Sequence, residues 1–232
     1  MLWHQMLWHK GWLETRLRLL FVLVWEALFL GFAYFRGVKT LTAFAAVLIG
    51  GASLGAFAPI LLAGSGIKTQ PPFQASKGLH GSTLFTLSLP VSRLRLLAVR
   101  AGIGWLELLV AIGMWCGGVW FLFPFLKATT NGIETLEYAG TLLACASGLY
   151  SASLLLAAFL DDLWRLYGGF VASGVLWWLL ERFPPSVNIF EAMSERSPLM
   201  VHALPWTAMG LSLASAAALF LVAVRVVRTS EY

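Results

Sequence analysis

Charged residues are scarce in this chain. Asp, Glu, Lys and Arg make up 12% of its 232 residues, whereas a soluble globular domain carries about 25%. Hydrophobic residues reach 59%, and several apolar runs exceed the roughly 20 residues that an α-helix needs to cross the hydrocarbon core of a bilayer. The composition excludes an ordinary soluble domain. It predicts an all-α integral membrane protein with a single transmembrane domain, residues 1–232.

Patterns for disulfide, metal and nucleotide chemistry are also missing from the sequence. The two cysteines, Cys116 and Cys145, fall inside apolar runs, where small packing residues are expected rather than a disulfide framework. No Gly-x-x-x-x-Gly-Lys-Ser/Thr phosphate-binding loop occurs, so any linked ATP hydrolysis must belong to another subunit. The chain is predicted to bind no cofactor of its own. The four histidines are too scattered to predict a metal site: His4, His9, His80 and His202.

The sequence also lacks a convincing catalytic motif. Residues 51–55 formally match the hydrolase nucleophile pattern Gly-x-Ser-x-Gly, but that motif requires a strand-to-helix elbow, and here it lies within an apolar run. We interpret these small residues as a helix-packing face, and Gly113 with Gly117 as a second one. An intramembrane serine protease would need a Gly-x-Ser-Gly pattern and a histidine inside a span, and neither is found. A non-catalytic protein is predicted.

The apolar runs predict six transmembrane helices. Three stretches outside them are predicted to be an interfacial helix, a cytoplasmic loop, and an extracellular pair of short helices or a shallow re-entrant hairpin. The Asn131-Gly132 dipeptide predicts a turn before the fourth span, and Asp161, Asp162 and Arg165 are expected to form a solvated cytoplasmic turn. The predicted spans are residues 17–35, 41–62, 95–123, 138–160, 165–180 and 206–224; the other three stretches are residues 1–16, 67–95 and 181–205.

The basic residues predict the orientation of these spans. Lys and Arg are retained on the cytoplasmic side of membrane proteins, which also explains the net charge of +5 without a nucleic-acid partner. With both termini cytoplasmic, the inner side of a plasma (inner) membrane holds Lys10, Arg16, Arg18, Lys68, Lys77, Arg93, Arg95, Arg100, Arg165, Arg225 and Arg228. The outer side then holds only Arg36, Lys39, Lys127, Arg182 and Arg196.

Two acidic residues, Glu26 and Glu107, lie well inside predicted spans. A charged side chain at the centre of the bilayer costs on the order of 2.5–3.5 kcal/mol even on the scale derived from insertion experiments. We therefore expect both carboxyls to face protein or water rather than lipid. A role in a substrate path or a subunit contact, and a purely structural role as a hydrogen-bonded glutamate, both remain open.

Between the second and third spans, residues 77–100 are amphipathic and basic. Apolar residues alternate with Ser and Thr up to Pro90, which lacks an N–H and disfavours helical geometry at the residue before it. Ser92 is then placed to cap a new helix that begins at Arg93. The pattern predicts a short surface helix joined through a sharp corner to the third span.

The residues of this segment resemble the first cytoplasmic loop of the permease subunits of ABC-2 type ABC transporters. The resemblance lies in Gly81-Ser82-Thr83-Leu84 and in Leu87-Ser88-Leu89-Pro90-Val91-Ser92-Arg93. In that family, acidic residues usually precede the glycine, whereas this chain has Lys77 and His80.

The resemblance implies a dimeric exporter whose two permease copies or paralogues each engage a separate ATPase subunit, which binds ATP and Mg. The short helix would then be a coupling helix, with contacts from Leu84, Phe85, Leu87, Leu89, Pro90 and Arg93. The alternative is a standalone six-span membrane protein, such as a secondary carrier or a membrane assembly factor.

Overall fold

The computed structural model describes residues 2–38, 40–63, 92–160 and 162–229. In these ranges the chain forms helices joined by short turns, without a β-strand. The helices are α1 (Leu2–Phe35), α2 (Leu41–Leu62), α3 (Arg93–Leu122), α4 (Leu126–Thr129), α5 (Gly132–Phe159), α6 (Asp162–Leu180), α7 (Ile189–Met193), α8 (Pro198–Val201) and α9 (Trp206–Thr229).

Five helices are long and apolar enough to cross a membrane: α1, α2, α3, α5 and α9. The sequence predicts six, and the helix outside this set is α6, whose first turns carry Asp162 and Arg165. These two charged residues lower the hydropathy of a helix that is only 19 residues long. The protein is therefore an all-helical membrane protein with at least five apolar helices of spanning length.

The first helix differs from the prediction. A separate interfacial helix is expected over residues 1–16, but α1 runs without a break for 34 residues, a length of about 50 Å. Its apolar spanning part begins at Thr15. The part before Thr15 is held against α3, because Leu7 belongs to one buried apolar cluster with Leu96, Val99 and Ile103.

Several helices begin directly after capping residues that can be recognised in the sequence. α2 begins after Thr40, whose side chain accepts a hydrogen bond from the Ala43 N–H, and its bounds agree with the predicted second span. Ser92 caps α3 as predicted, accepting from the Arg95 N–H. The Asn131 prediction is wrong: instead of a turn, this residue forms a capping box with Glu134, so α5 begins six residues before the predicted span.

Helix α5 occupies the centre of the bundle. It packs against α2, α3, α6, α7, α8 and α9, and most extensively against α9. Small residues allow this close α5–α9 contact: a Cβ added to Gly148 would lie 2.9 Å from the Ser212 hydroxyl oxygen. The same hydroxyl donates a hydrogen bond to the Cys145 carbonyl oxygen. Cys145 is fully buried there, in agreement with its predicted packing role.

The two predicted small-residue faces behave differently. Gly51 of α2 lies directly under Trp115 and Tyr138, and a Cβ there would stand 2.8 Å from the Trp115 indole nitrogen. This face is a packing face, as predicted. A Cβ at Gly113 or Gly117 of α3 would meet nothing within 4 Å, so the second face packs against none of the described residues.

The stretch of residues 181–205 forms two short helices, α7 and α8, which is the first of the two predicted alternatives. Asn188 caps α7, and four of the five α7 residues are buried against the bundle. His202, in the left-handed region with φ of 54°, follows α8. Its Nδ1 lies 2.8 Å from Oε1 of Glu134, which ties this stretch to the beginning of α5.

Candidate functional site: polar groups around the second helix

Arg165 of α6 is completely buried, although the sequence predicts it in a solvated turn. Its Nη1 donates a 2.7 Å hydrogen bond to the carbonyl oxygen of Ile60. Ile60 lies in the last turn of α2, where backbone carbonyls have no partner within the helix and where a positive charge is favoured by the helix dipole. The prediction of a solvated position is wrong for Arg165, whose buried side chain has a hydrogen-bond partner distant in sequence. Asp161 of the predicted turn lies outside the described residues.

Two further helices meet the same end of α2. Arg18 of α1 donates to the Leu61 carbonyl oxygen over 3.4 Å. From α3, Gly104 approaches so closely that an added Cβ would lie 2.5 Å from the Leu62 carbonyl oxygen. The C-terminal turn of α2 is therefore contacted by α1, α3 and α6 together, and the chain continues from this turn into residues 64–91.

Glu107 lies in the same region, between α1 and α3. It is 1% exposed, and one of its carboxyl oxygens is hydrogen-bonded to the Thr15 hydroxyl. Arg18 is close enough to interact with this carboxyl electrostatically, as is the buried Tyr150 of α5, which donates to the Ala101 carbonyl oxygen over 3.0 Å. We refer to Thr15, Arg18, Glu107, Tyr150 and Arg165 as the α2-end cluster.

Glu26 occupies a different site. It is also 1% exposed, but neither of its carboxyl oxygens has a hydrogen-bond partner in the part of the chain that the structure describes. Glu26 is one of the residues that line a groove of about 500 Å³ between α1 and α2. The groove is lined by Phe21, Val22, Trp25, Glu26, Phe29, Ala46, Ile49, Gly50, Ser53, Leu54, Phe57, Ala58, Leu61, Trp115 and Phe170.

The structure does not bring the predicted site residues together at one location. The structure buries Glu26 and Glu107, in agreement with the expectation that both avoid lipid, but assigns them to different surroundings. Leu84, Phe85, Leu87, Leu89 and Pro90 lie outside the described residues, and Arg93 is the first residue of α3. Among the described residues, no group of three or more His, Cys, Asp or Glu side chains is placed to hold a metal ion.

Sequence reasoning missed most of the α2-end cluster. Arg18 and Arg165 each lie near the beginning of an apolar run, where a basic residue ordinarily marks the membrane surface. The Ile60 and Leu61 carbonyls, more than 40 residues away in sequence, give these arginines hydrogen-bond partners within the helix bundle. A basic residue followed by a mostly apolar run is the one weak signal.

Neither a family model, nor a curated protein, nor a solved structure matches the chain. The five apolar helices of spanning length define the class of the described part of the chain, which is that of a multi-pass α-helical membrane protein.

Proposed function

We propose that this chain is the permease subunit of an ATP-driven exporter of the ABC-2 type, coupled to a separate ATPase subunit that binds ATP and Mg. The proposal is supported by the resemblance of residues 81–93 to the coupling segment of such permeases. It is also supported by the five apolar helices of spanning length among the described residues, and by the absence of a phosphate-binding loop in the sequence.

The structural observation that carries the proposal is the fixed C-terminal turn of α2. The proposed coupling segment connects this turn to the capped first turn of α3. Because Arg165, Arg18 and Gly104 join the turn to α6, α1 and α3, a force on the segment would act on four helices rather than on one. Such a connection is what a subunit driven from outside its own chain requires.

In this proposal α6 is the fifth of six spans, and both termini lie in the cytoplasm. The coupling segment then faces the cytoplasmic ATPase, and residues 181–205 lie outside. Two permease copies or paralogues would enclose the substrate path. The α3 face around Gly113 and Gly117, which packs against no other part of the described chain, would be available for contacts in the membrane.

The proposal is tested by isolating the tagged chain from its native membrane in mild detergent. We expect an ATPase subunit with a phosphate-binding loop to co-purify, and the complex to hydrolyse ATP. The chain alone should show no hydrolysis. The Phe85→Ala variant should keep ATP hydrolysis but lose the transport coupled to it, whereas Leu221→Ala, which alters an exposed residue of α9, should keep both. Transport by the reconstituted chain without any ATPase would instead support a standalone carrier.

A further inference from the structure

The groove between α1 and α2 combines an apolar wall with one acidic group. Among the described residues that line it there is no Lys, Arg or His, and Glu26 is the only ionisable side chain. Both oxygens of that carboxyl are buried, with no hydrogen-bond partner among the described residues. A buried carboxyl without partners is costly, and buried polar groups in proteins are ordinarily hydrogen-bonded. A hydrogen-bond donor that enters the groove would supply the partner that this carboxyl lacks among the described residues.

The charge of the groove selects the kind of donor. An ammonium group would neutralise the carboxylate and form a charge-assisted hydrogen bond, which is about twice as strong as a neutral one. Aromatic side chains are also abundant along the groove, and their faces attract cations. An anionic ligand would meet the carboxylate, and the described part of the lining offers no basic residue to offset the repulsion.

The depth and volume of the groove determine what kind and size of molecule can reach Glu26. Glu26 is near the middle of the apolar part of α1, which runs from Thr15 to Phe35, so its carboxyl is about 13–17 Å along the helix from either end. The amino group of a membrane lipid stays at the headgroup level and does not reach this depth. The groove volume of about 500 Å³ falls within the range of about 300–1,000 Å³ found for small-molecule sites.

From these observations we infer that the α1–α2 groove is a binding site for a lipophilic amine, a compact aromatic or aliphatic body carrying one amino group that pairs with Glu26. The site is complete within a single chain. It does not require an ATPase partner, so it stands or falls independently of the proposed transport function.

Binding is measured by calorimetric titration of the purified chain in an uncharged maltoside detergent, with protein-free micelles as the blank. The probe is 4-phenylbenzylamine, and its neutral and anionic counterparts are 4-phenylbenzyl alcohol and biphenyl-4-carboxylate. We expect saturable binding of the amine, at least tenfold weaker binding of the alcohol, and no binding of the carboxylate. Glu26→Gln should weaken amine binding at least tenfold, while Glu137→Gln, which alters a carboxyl outside the groove, should leave it unchanged.

A second variant covers the case in which Glu26→Gln does not fold. Ile49 lines the groove and is 44% exposed, so Ile49→Trp should fill the groove without disturbing the core and should abolish binding of the amine. Equal affinities for amine and alcohol would overturn the inference. So would unchanged amine binding by Glu26→Gln or by Ile49→Trp, or the absence of saturable binding by the unmodified chain.

Discussion

Nη1 of Arg165 lies 2.7 Å from the carbonyl oxygen of Ile60, and the two residues are 105 positions apart in the sequence. This hydrogen bond joins the beginning of α6 to the end of α2 inside the protein, where no exposed surface of the Arg165 side chain remains. It places a positive charge at the negative end of a helix dipole. The C-terminal turn of α2 is thereby fixed at the point from which residues 64–91 depart.

Replacing Arg165 should destabilise the bundle. Arg165→Met keeps much of the side-chain volume but removes the charged donor to Ile60, and hydrogen bonds of charged groups contribute about 1.5–3 kcal/mol. We expect a loss of this size in the free energy of unfolding, measured by denaturant titration in mixed micelles. Arg225→Met, at an exposed position of α9, is the control and should change the free energy little. Equal effects of the two substitutions would show that the buried bond does not stabilise the fold.

The two small-residue faces should respond oppositely to an added methyl group. In Gly51→Ala the new Cβ would collide with Trp115 and Tyr138, and overpacking of this kind costs about 1–3 kcal/mol. Gly117→Ala meets no atom within 4 Å and should be neutral, or stabilising by up to about 1 kcal/mol through helix propensity. Thermal unfolding in detergent compares the two variants. If Gly117→Ala lowered the yield of dimer instead, the α3 face would be a subunit contact.

The hydrogen bond between Thr15 and Glu107 should couple α1 to α3. Thr15→Val and Glu107→Leu each remove one partner and leave the other buried, so each should destabilise the protein, and we expect transport to fall as well. The double variant should lose less than the sum of the single losses, with a coupling energy of at least about 0.5 kcal/mol. A double-mutant cycle on the free energy of unfolding measures this. Strict additivity would mean that the bond does not link the two helices energetically.

The start of a helix can be predicted from the sequence when its capping residue and the N–H group it binds are close in sequence. Thr40 and Ser92 cap their helices through N–H groups three residues away, and both helix starts could be predicted. The start of α5 is equally local, since Glu134 completes a capping box with Asn131, but the Asn-Gly pair also predicts a turn. The capping signal, Asn131 followed three residues later by Glu134, is present in the sequence.

The polar interior depends on contacts that no local pattern encodes. The sequence predicts that Glu26 and Glu107 avoid lipid, because the cost of exposure is a property of each residue alone. It does not predict that Glu107 finds Thr15 at a separation of 92 residues, whereas Glu26 faces an apolar groove. Such partners are set by the packing of α1 against α2 and α3, and only the three-dimensional structure shows them.

The orientation in the membrane can be tested with single cysteines in a background that lacks Cys116 and Cys145. Ser194 would be a poor labelling position in the stretch 181–205, because it is buried and its hydroxyl donates to the Phe190 carbonyl oxygen. Ser186 is exposed and is the better choice. A cysteine at Ser186 should react with an impermeant maleimide from outside the cell, and a cysteine at Ser76 only after the membrane is opened. Labelling of both from one side would contradict six spans.

The final prediction concerns coupling through residues 84–90, which lie outside the described part of the structure. Their apolar side chains are suited to a groove on the ATPase, as in other helix-in-groove contacts. Lys77 and His80 stand where acidic residues are usual in the resembled family, so we expect docking to depend on apolar contact more than on charge pairing. Phe85→Ala should remove an anchor, and Pro90→Ala should loosen the corner before Ser92. In proteoliposomes that contain both subunits, each variant should separate ATP hydrolysis from transport while inserting normally.

Lys77→Gln is the matched control for that experiment, since it removes a charge from the same segment without touching its apolar surface. It should retain most of the coupling, measured as substrate transported per ATP hydrolysed at low and high salt. Strong salt dependence, or a Lys77→Gln defect larger than that of Phe85→Ala, would show that charge pairing dominates the contact. Full coupling in both Phe85→Ala and Pro90→Ala would count against this segment as the coupling element, because a lever that loses its anchor or its fixed corner cannot transmit the same motion to α2 and α3.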